Sequence, residues 1–592
     1  MKPILLFCSL LLLLCTCDRA PAPDREEPTN AKPNILFILT DDQGYGDLSM
    51  MGNDSIETPN MDRLLGNSAF FNRFYVSPVC APTRASFLSG LYAPRTGAVF
   101  VTRRRETMDD GVVTIAEHLK EAGYRTGVFG KWHNGATFPY HPAGQGFDEF
   151  LGFTLGHFND YFNGELTNER DELVPFQGDL TKILTDTATQ FMLAQPQQPF
   201  FCMLTYQAPH TPVQVTDKHW DRVAQRGLTD YNTGIYAMIE GIDEQLGYLF
   251  AELEAAGTLE NTIVVFATDN GPNGDRFRAG LKGTKGQVDE GGVRVPFGIM
   301  LPGDHPANGT VQTTPAAHID LLPTILDYLE RPIPNDLDGQ SLLPLLNQDT
   351  VDAFNHDRYI YAFKQGYDFK LYPGSMRNDH LLYVLRGPDE HELYQIDKDE
   401  GQRANIMATD EAFLADLREV GREMAATYAQ YASTVARPEL VAPPISLDAS
   451  PGAIRLLAHE GEPQGATRFQ DQYGWANDFF VDLGPDGAYW PIATAQSSTY
   501  TATIRYHLAG NKARTLVLST DKDNEVSVEL PVALTEQIPV ADRVKRKEVY
   551  PRQWAEVVIP NLPISAGASQ LRITAPTGEE LWVKSVVLQP VD

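Results

Sequence analysis

Short apolar runs that end in polar, chemically useful residues recur through the first half of the chain. Residues 34–40 are apolar almost throughout and lead into Asp41-Asp42. Residues 124–129 lead into Gly130-Lys131-Trp132-His133, residues 199–206 end close to His210, and residues 262–268 lead into Asp269-Asn270. Continuous apolar runs of this length read as strands buried on both faces. Apolar residues at helical spacing fill stretches between them, such as 113–122 and 236–256. Strands alternating with helices predict an α/β domain with a mainly parallel sheet covered on both faces. Ligands bind such sheets beyond the carboxyl ends of the strands. Four strands delivering acids, an amide, a lysine and histidines to that edge would build one site.

The pattern changes near residue 354. Residues 381–386 and 392–396 read as short strands, and 412–428 as an amphipathic helix capped near Asp410. This predicts a small α/β subdomain over 354–432, packed on a main domain of 33–353. Residues 433–454 hold Pro438, Pro443, Pro444 and Pro451 and read as a linker. Beyond it the period drops to two: Tyr500, Ala502, Ile504, Tyr506 and Leu508 alternate with polar neighbours, as do Val526, Val528 and Leu530. Regularly spaced alternating segments predict an all-β sandwich of jelly-roll type over 455–592. Trp475, Tyr489 and Trp490 are its candidate sugar-stacking surfaces; the alternative is a structural appendage with core aromatics.

The first residues are of another kind. Lys2 precedes an apolar run, 4–14, too short to span a bilayer and suited to a secretory signal. Leu14-Cys15-Thr16-Cys17 resembles a bacterial lipobox with Cys17 as the lipidated residue. Cys15, or simple cleavage near Ala20-Pro21-Ala22, is the alternative. Residues 18–32 form a polar, Pro-containing tether. The expectation is an exported bacterial protein, periplasmic or an outer-membrane lipoprotein, held to the membrane by a lipid anchor alone. Of five cysteines, Cys8 and Cys15 leave with the signal. With Cys17 lipidated, Cys80 and Cys202 give no disulfide framework in a compartment that permits one. Cys202 lies in an apolar run and reads as core.

The formal net charge of −30 excludes nucleic acid as a partner, because phosphate binding needs a basic face. It also makes the local clustering of acids informative. Asp41, Asp42 and Asp269, brought to one sheet edge with Asn270, would repel strongly without a cation. An all-oxygen set favours a hard ion such as Ca²⁺ or Mg²⁺ over zinc. Cys80 precedes Ala81-Pro82-Thr83-Arg84, and Pro82 suits the first turn of a helix. Cys80 is therefore placed at a helix N-terminus, where free N–H groups favour an anion. The alternative for it is an inert buried thiol.

Cys80-Ala81-Pro82-Thr83-Arg84 resembles the Cys-x-Pro-Ser-Arg signature of the type I, formylglycine-dependent sulfatases, with Thr83 in place of the usual serine. The segments 40–47, 130–133, 208–210, 268–271, and 283–286 followed by 290–294, resemble that family's other motifs in the same order. The resemblance covers about residues 33–430. It implies an alkaline-phosphatase-like mixed sheet flanked by helices. It also implies oxidation of Cys80 to formylglycine by a separate maturation enzyme. One hydroxyl of the hydrated aldehyde would attack sulfur, and loss of a proton from the other would release sulfate.

Family membership further implies a metal, Ca²⁺ before Mg²⁺, held by Asp41, Asp42, Asp269 and Asn270 and touching modified Cys80. Arg84 and Lys131 would orient the diol, Lys285 would hold sulfate oxygens, His210 would protonate the leaving alcohol, and His133 would take the proton that triggers collapse. Asp269 is a second candidate acceptor, for the first diol proton. His157, in a polar-aromatic loop, and Arg104 and Arg105, in a basic run with Arg103, are candidate substrate contacts. The expected activity is hydrolysis of sulfate esters on a sulfated polysaccharide or oligosaccharide. The alternatives are a phosphodiesterase or phosphonate monoester hydrolase on the same scaffold, and a catalytically dead glycan-binding lipoprotein.

Overall fold

The strand Asn34–Thr40 (β1) shows why the domain is layered as it is. Its side chains alternate between two separate hydrophobic cores, Ile35, Phe37 and Leu39 entering one, Leu36 and Ile38 the other. β1 pairs in parallel with Phe200–Thr205 (β7) and with Thr262–Thr268 (β8). β8 divides its side chains in the same way, with Ile263, Val265 and Ala267 on one face and Val264 and Phe266 on the other. A strand buried on both sides must be apolar on both, and this is the continuous apolar pattern read in the sequence.

A computed structural model describes residues 32–592, apart from 365, 367–369, 410, 438–440, 473–476, 524, 577–579 and 592. The lipobox, Cys17, Asp410 and Trp475 lie outside the described residues. Six further strands are Ala69–Tyr75 (β2), Arg125–Lys131 (β3), Glu149–Phe153 (β4), Asn163–Asn168 (β5), Leu173–Gln177 (β6) and Arg294–Met300 (β9), with β7 and β8 already placed. The sheet has eleven strands, and its main path runs β2-β9-β8-β1-β7-β3-β4-β5-β6. The block from β8 to β4 is parallel, while β9 and β5 join it antiparallel. The sheet is therefore mixed, parallel at its centre. The helices Cys80–Ser89 and Leu321–Tyr328 contribute to one core, and Leu180–Leu193 and Asp230–Ala255 to the other.

A four-stranded antiparallel sheet follows, ordered Ile360–Phe363, Gly374–Arg377, Leu381–Gly387, Glu390–Gln395, with the helix Ala415–Val435. Met424, Tyr428 and Ala432 of that helix share a core with Met376, Tyr383 and Leu393 of the sheet. The last region is a sandwich of two largely antiparallel sheets around one core: Ile504, Val583 and Val586 come from one sheet, and Leu516, Leu518 and Ile573 from the other. The stretch read as linker adds a strand, Ile445–Ser446, which pairs with Ile492 and Ala493. Residues 33–592 pack as one unit.

Trp490 corrects an expectation. It is fully buried in the sandwich core, where its Nε1–H donates to the Leu457 carbonyl at 2.7 Å. An alternating strand puts every second residue inside, and Trp490 falls on the inner set. It offers no face to a sugar, whereas Tyr489 is half-buried.

The sandwich meets the N-terminal α/β region through buried ionisable groups. Glu106 lies 3.8 Å from His459, and Glu460 is buried beside them. Burial pushes the Glu106 carboxyl up to about 7 and Glu460 up to about 8. An unfolded chain ionises such groups near their ordinary value of 4.5. Between that value and the folded one, unfolding releases protons, so these groups lower stability as pH rises. Burial of His459, pushed down to about 3, acts in the opposite sense below its ordinary value. Replacing Glu106 by Gln should therefore raise Tm relative to wild type by an amount that grows from pH 5 to 7. The growth should level off near a stabilisation on the order of 3 kcal/mol. Parallel Tm curves for the two proteins across that range would contradict the assignment.

Candidate active site

The carboxyl ends of β1, β3 and β8 bring their terminal residues together. Asp41 and Asp42 follow β1, with Asp42 at φ 66°. Lys131 ends β3, and Asp269 and Asn270 follow β8. Gly130 lets β3 deliver its lysine, because at its φ of 119° a Cβ would lie 1.9 Å from the Thr205 carbonyl oxygen. Gly292 is needed for a similar reason: a Cβ there would lie 2.0 Å from the Gln287 carbonyl oxygen, inside the turn that carries Lys285.

Cys80 opens the helix Cys80–Ser89, all ten residues of which are buried. The helix start is fixed by its neighbours. Thr83 Oγ1 donates to the Ser77 carbonyl at 3.1 Å, so the threonine at the serine position keeps a local hydroxyl bond. Asn134 Nδ2 donates to the Ala81 carbonyl at 3.0 Å. Asn134 did not stand out in the sequence, although it directly follows the Gly130–His133 motif.

Around Cys80 the charges interlock. Arg84 donates to Asp269 Oδ2 at 2.8 and 3.1 Å and to the Lys131 carbonyl at 3.0 Å. Lys131 Nζ pairs with Asp41, and Lys285 Nζ lies 2.5 Å from Asp42 Oδ1. Asn270 Nδ2 donates to Asp42 Oδ1 at 2.8 Å, and the Asp42 N–H donates to Asp269 Oδ1 at 3.2 Å. His210 Nε2 lies 3.8 Å from Asp42 Oδ2. One ligand atom each from Asp41, Cys80 and Asp269, and likewise from Asp41, Asp42 and His210, lie within 4.8 Å of one another.

Three oxygens in this cluster test the fit of a cation. Asp41 Oδ1, Asp42 Oδ2 and Asn270 Oδ1 are buried and receive no hydrogen bond. Buried acceptors without donors are costly, and a hard cation satisfies several at once. The donor set is oxygen-rich: Cys80 and His210 each stand as a lone sulfur or nitrogen atom among carboxylates, short of the several such ligands typical of zinc.

Burial alone raises the carboxyls of Asp42 and Asp269, and their neighbours decide the outcome. For Asp42, Lys285 and His210 outweigh burial and hold its carboxyl well below the ordinary range. For Asp269, burial and the negative Asp41 prevail over Arg84 and Lys131, raising it to about 6. Burial pushes the Cys80 thiol up despite Lys131 and Lys285, so a thiolate is not the favoured form. Burial lowers His133 well below its ordinary value, with Lys131 adding to the effect. It lowers His210 to about 4 against the pull of Asp42.

The tautomers follow from the backbone. His133 Nε2 faces the Val101 carbonyl at 2.9 Å, and a carbonyl only accepts. Neutral His133 thus carries its proton on Nε2, and its Nδ1, buried without a partner, is left as an acceptor. His210 Nδ1 faces the Thr211 carbonyl at 2.8 Å, which directs Nε2 toward the cluster.

His157 packs against His210, ring centroids 5.6 Å apart. Arg104 behaves otherwise and corrects its sequence reading. Its guanidinium is buried, donates to the Pro443 carbonyl at 3.2 Å and meets Glu462 at 3.5 Å, both in the C-terminal part of the chain. Arg103 lies over the Phe469 ring at 3.4 Å and meets Asp478 at 3.4 Å. The basic run is a staple between regions, made by a turn in which Arg103 and Arg104 both take positive φ. Arg105, half-buried, donates its N–H to the Thr102 carbonyl within that turn.

The family model for sulfatases matches residues 33–330, and the model for the C-terminal part of N-sulphoglucosamine sulphohydrolase matches 284–429. The chain belongs to the sulfatase family and is a sulfuric ester hydrolase. It is 33% identical to the N-acetylgalactosamine-6-sulfatase of Canis lupus familiaris over 57% of this chain and 69% of that protein. It is 29% identical to the ulvan-active sulfatase of Formosa agariphila, over 60% and 72%. The crystal structure of Ps i-CgsB in complex with k-i-k-neocarrahexaose matches with a TM-score of 0.60 and 28% identity, covering 67% of this chain and 93% of that one.

Arg84 joins a carboxylate to a main-chain carbonyl through one rigid fork, which a lysine does not reproduce. Arg84→Lys keeps the charge but loses this double hold. Sulfate release from an aryl sulfate should fall at least about 100-fold, on the order of 3 kcal/mol of transition-state stabilisation. Retention of activity within a few-fold of wild type would show that Arg84 contributes charge alone.

Proposed function

We propose that the chain hydrolyses sulfate esters of a sulfated polysaccharide or oligosaccharide, using a formylglycine hydrate made from Cys80 beside a Ca²⁺ ion. The observation that carries the reading is the set of donor-less oxygens on Asp41, Asp42 and Asn270, in a cluster where Asp41 and Asp269 each bring an oxygen within 4.8 Å of the Cys80 sulfur at a buried helix start. The saccharide class is supported by the names of the relatives above, an N-acetylgalactosamine-6-sulfatase and an ulvan-active sulfatase, and by the k-i-k-neocarrahexaose bound in the similar structure. Export and a lipid anchor at Cys17 complete the proposal from sequence; no helix among the described residues is long and apolar enough to cross a membrane.

Asp41, Asp42, Asp269 and Asn270 would hold the ion, with Ca²⁺ preferred over Mg²⁺ for a site offering several carboxylate and amide oxygens. Bound there, it would supply positive charge for the nucleophile and a sulfate oxygen. Arg84 and Lys131, held against Asp269 and Asp41, orient the residue at position 80 and favour its deprotonated oxygen. Lys285, reaching in from its Gly-bounded turn, binds sulfate oxygens. His210 directs Nε2 to the side where the alcohol departs. Its acid role requires the doubly protonated ring, which a bound sulfate ester favours by adding negative charge beside it. His133 Nδ1, left as an acceptor by the Val101 bond, takes the hydroxyl proton whose loss re-forms the aldehyde and frees sulfate. Asp269, raised to about 6, fits a shared role as ligand and first proton acceptor.

The test combines peptide mass spectrometry across Cys80 with sulfate release from a panel of sulfated glycans. The active protein should carry an aldehyde at position 80, and Cys80→Ala should lose activity by at least about 1000-fold. Chelation should abolish turnover, and Ca²⁺ should restore it better than Mg²⁺ does. Unmodified cysteine in active protein, or full activity in Cys80→Ala, would sink the mechanism.

A further inference from the structure

A cavity of about 510 Å³ adjoins the catalytic cluster, and its walls come from opposite ends of the chain. Thr211, the residue after His210, and Asn273, three residues after Asn270, line one side. Residues 544–548 of the C-terminal sandwich region line the other. Those residues lie beyond both family-model matches, the second of which ends at 429.

The second wall is firmly built. Arg546 is buried and gripped by Asp542 at 2.5 and 2.7 Å and by Asn159 Oδ1 at 3.2 Å. Asp542 also accepts from Gln214 at 2.9 Å. Thr211 Oγ1 donates to Glu548 at 2.5 Å, and the Arg543 N–H donates to the Val213 carbonyl at 2.9 Å. The segment is thus sewn to the strand-end loop that carries His210 on one side and to the loop of His157 and Asn159 on the other. Held by this frame, Lys545 and Lys547 are exposed, and neither ammonium has a partner among the described residues. Two unpaired cations beside an active site stand out in a chain of net charge −30.

We infer that the 544–548 segment is the specificity wall of the site, with Lys545 and Lys547 binding a second anionic group of the saccharide, a carboxylate or another sulfate, while the scissile sulfate occupies the Cys80 cluster. The inference rests on the sulfatase reading above and adds to it the charge class of the substrate. Lys545 and Lys547 act on binding alone, because neither reaches the cluster of Cys80, Lys131 and Lys285 through any contact in the structure. The effect therefore belongs in KM for dianionic sugars and not in kcat.

The double variant Lys545→Ala/Lys547→Ala removes two exposed side chains without partners and leaves the buried Arg546 frame intact. It is compared with wild type on 4-methylumbelliferyl sulfate and on matched sugars. These are galactosamine and glucosamine 6-sulfates, their disulfated forms, and a disaccharide joining a 6-sulfated hexosamine to a uronate. Wild type should prefer dianionic members. The variant should raise KM on them by about tenfold, the combined effect of two exposed ion pairs, with kcat unchanged and aryl sulfate turnover equal to wild type. Whether the disulfated sugars or the uronate disaccharide respond identifies the second group. Equal KM for both proteins on every dianionic sugar overturns the inference, as does an equal loss on the aryl sulfate or a wild type that prefers the monoanionic member of each pair. Absence of sulfate release by wild type from all probes, with position 80 converted, would instead overturn the sulfatase reading on which it rests.

Discussion

Three carboxylates crowded at the end of one sheet are the constraint around which this molecule is arranged. Asp41, Asp42 and Asp269 are fully buried, and isolated charges so placed would be far too costly to keep. Each has its own cation: Lys131 for Asp41, Lys285 for Asp42, Arg84 for Asp269. The six groups come from five separate parts of the chain, so the charges balance only when β1, β3, β8, the helix of Cys80 and the turn of Lys285 are all in place. Two adjacent layers of apolar side chains supply the rigidity. The alternation of β1 between two cores fixes where its last residues point, and with them the position of both aspartates.

The scheme also reconciles an acidic protein with an anionic substrate. Exposed charges are screened over about 8 Å at physiological ionic strength. Buried cations at contact distance act in a medium of far lower dielectric, so a few local groups outweigh a global excess of acid. The surface charge of the chain and the field of its active site are separate properties.

Much of the catalytic domain was legible because its chemistry sits at strand ends. The strands at 34–40 and 262–268 have in the structure the bounds read from the apolar runs, since aspartates close both of them. Helix starts were less visible. Asp230–Ala255 begins six residues before the apolar spacing suggests, because Thr229 caps it by accepting from the Asn232 N–H. Arg104 and Trp490 were misread for a common reason: a basic run and an aromatic residue look alike in sequence whether they face solvent or another part of the protein. The 544–548 segment carried no local signal. Its position depends on bonds from Asp542, Arg546 and Glu548 to residues more than three hundred positions away, which no periodicity encodes.

The depth of Cys80 imposes an order in time. Its side chain is 2% exposed, at the head of a helix without a single solvent-facing residue. A catalyst large enough to be a protein has no route to that sulfur once the helix is seated under the sheet. Any enzymatic alteration of residue 80 must therefore be finished while this stretch is still extended, and the rate of folding sets the deadline. On the proposed mechanism, a chain that folds first is sealed with its thiol, sound in structure but without the nucleophile that mechanism requires. Expression that speeds folding or delays the modifying step would thus yield a stable protein whose specific activity reports that race rather than any defect in the site.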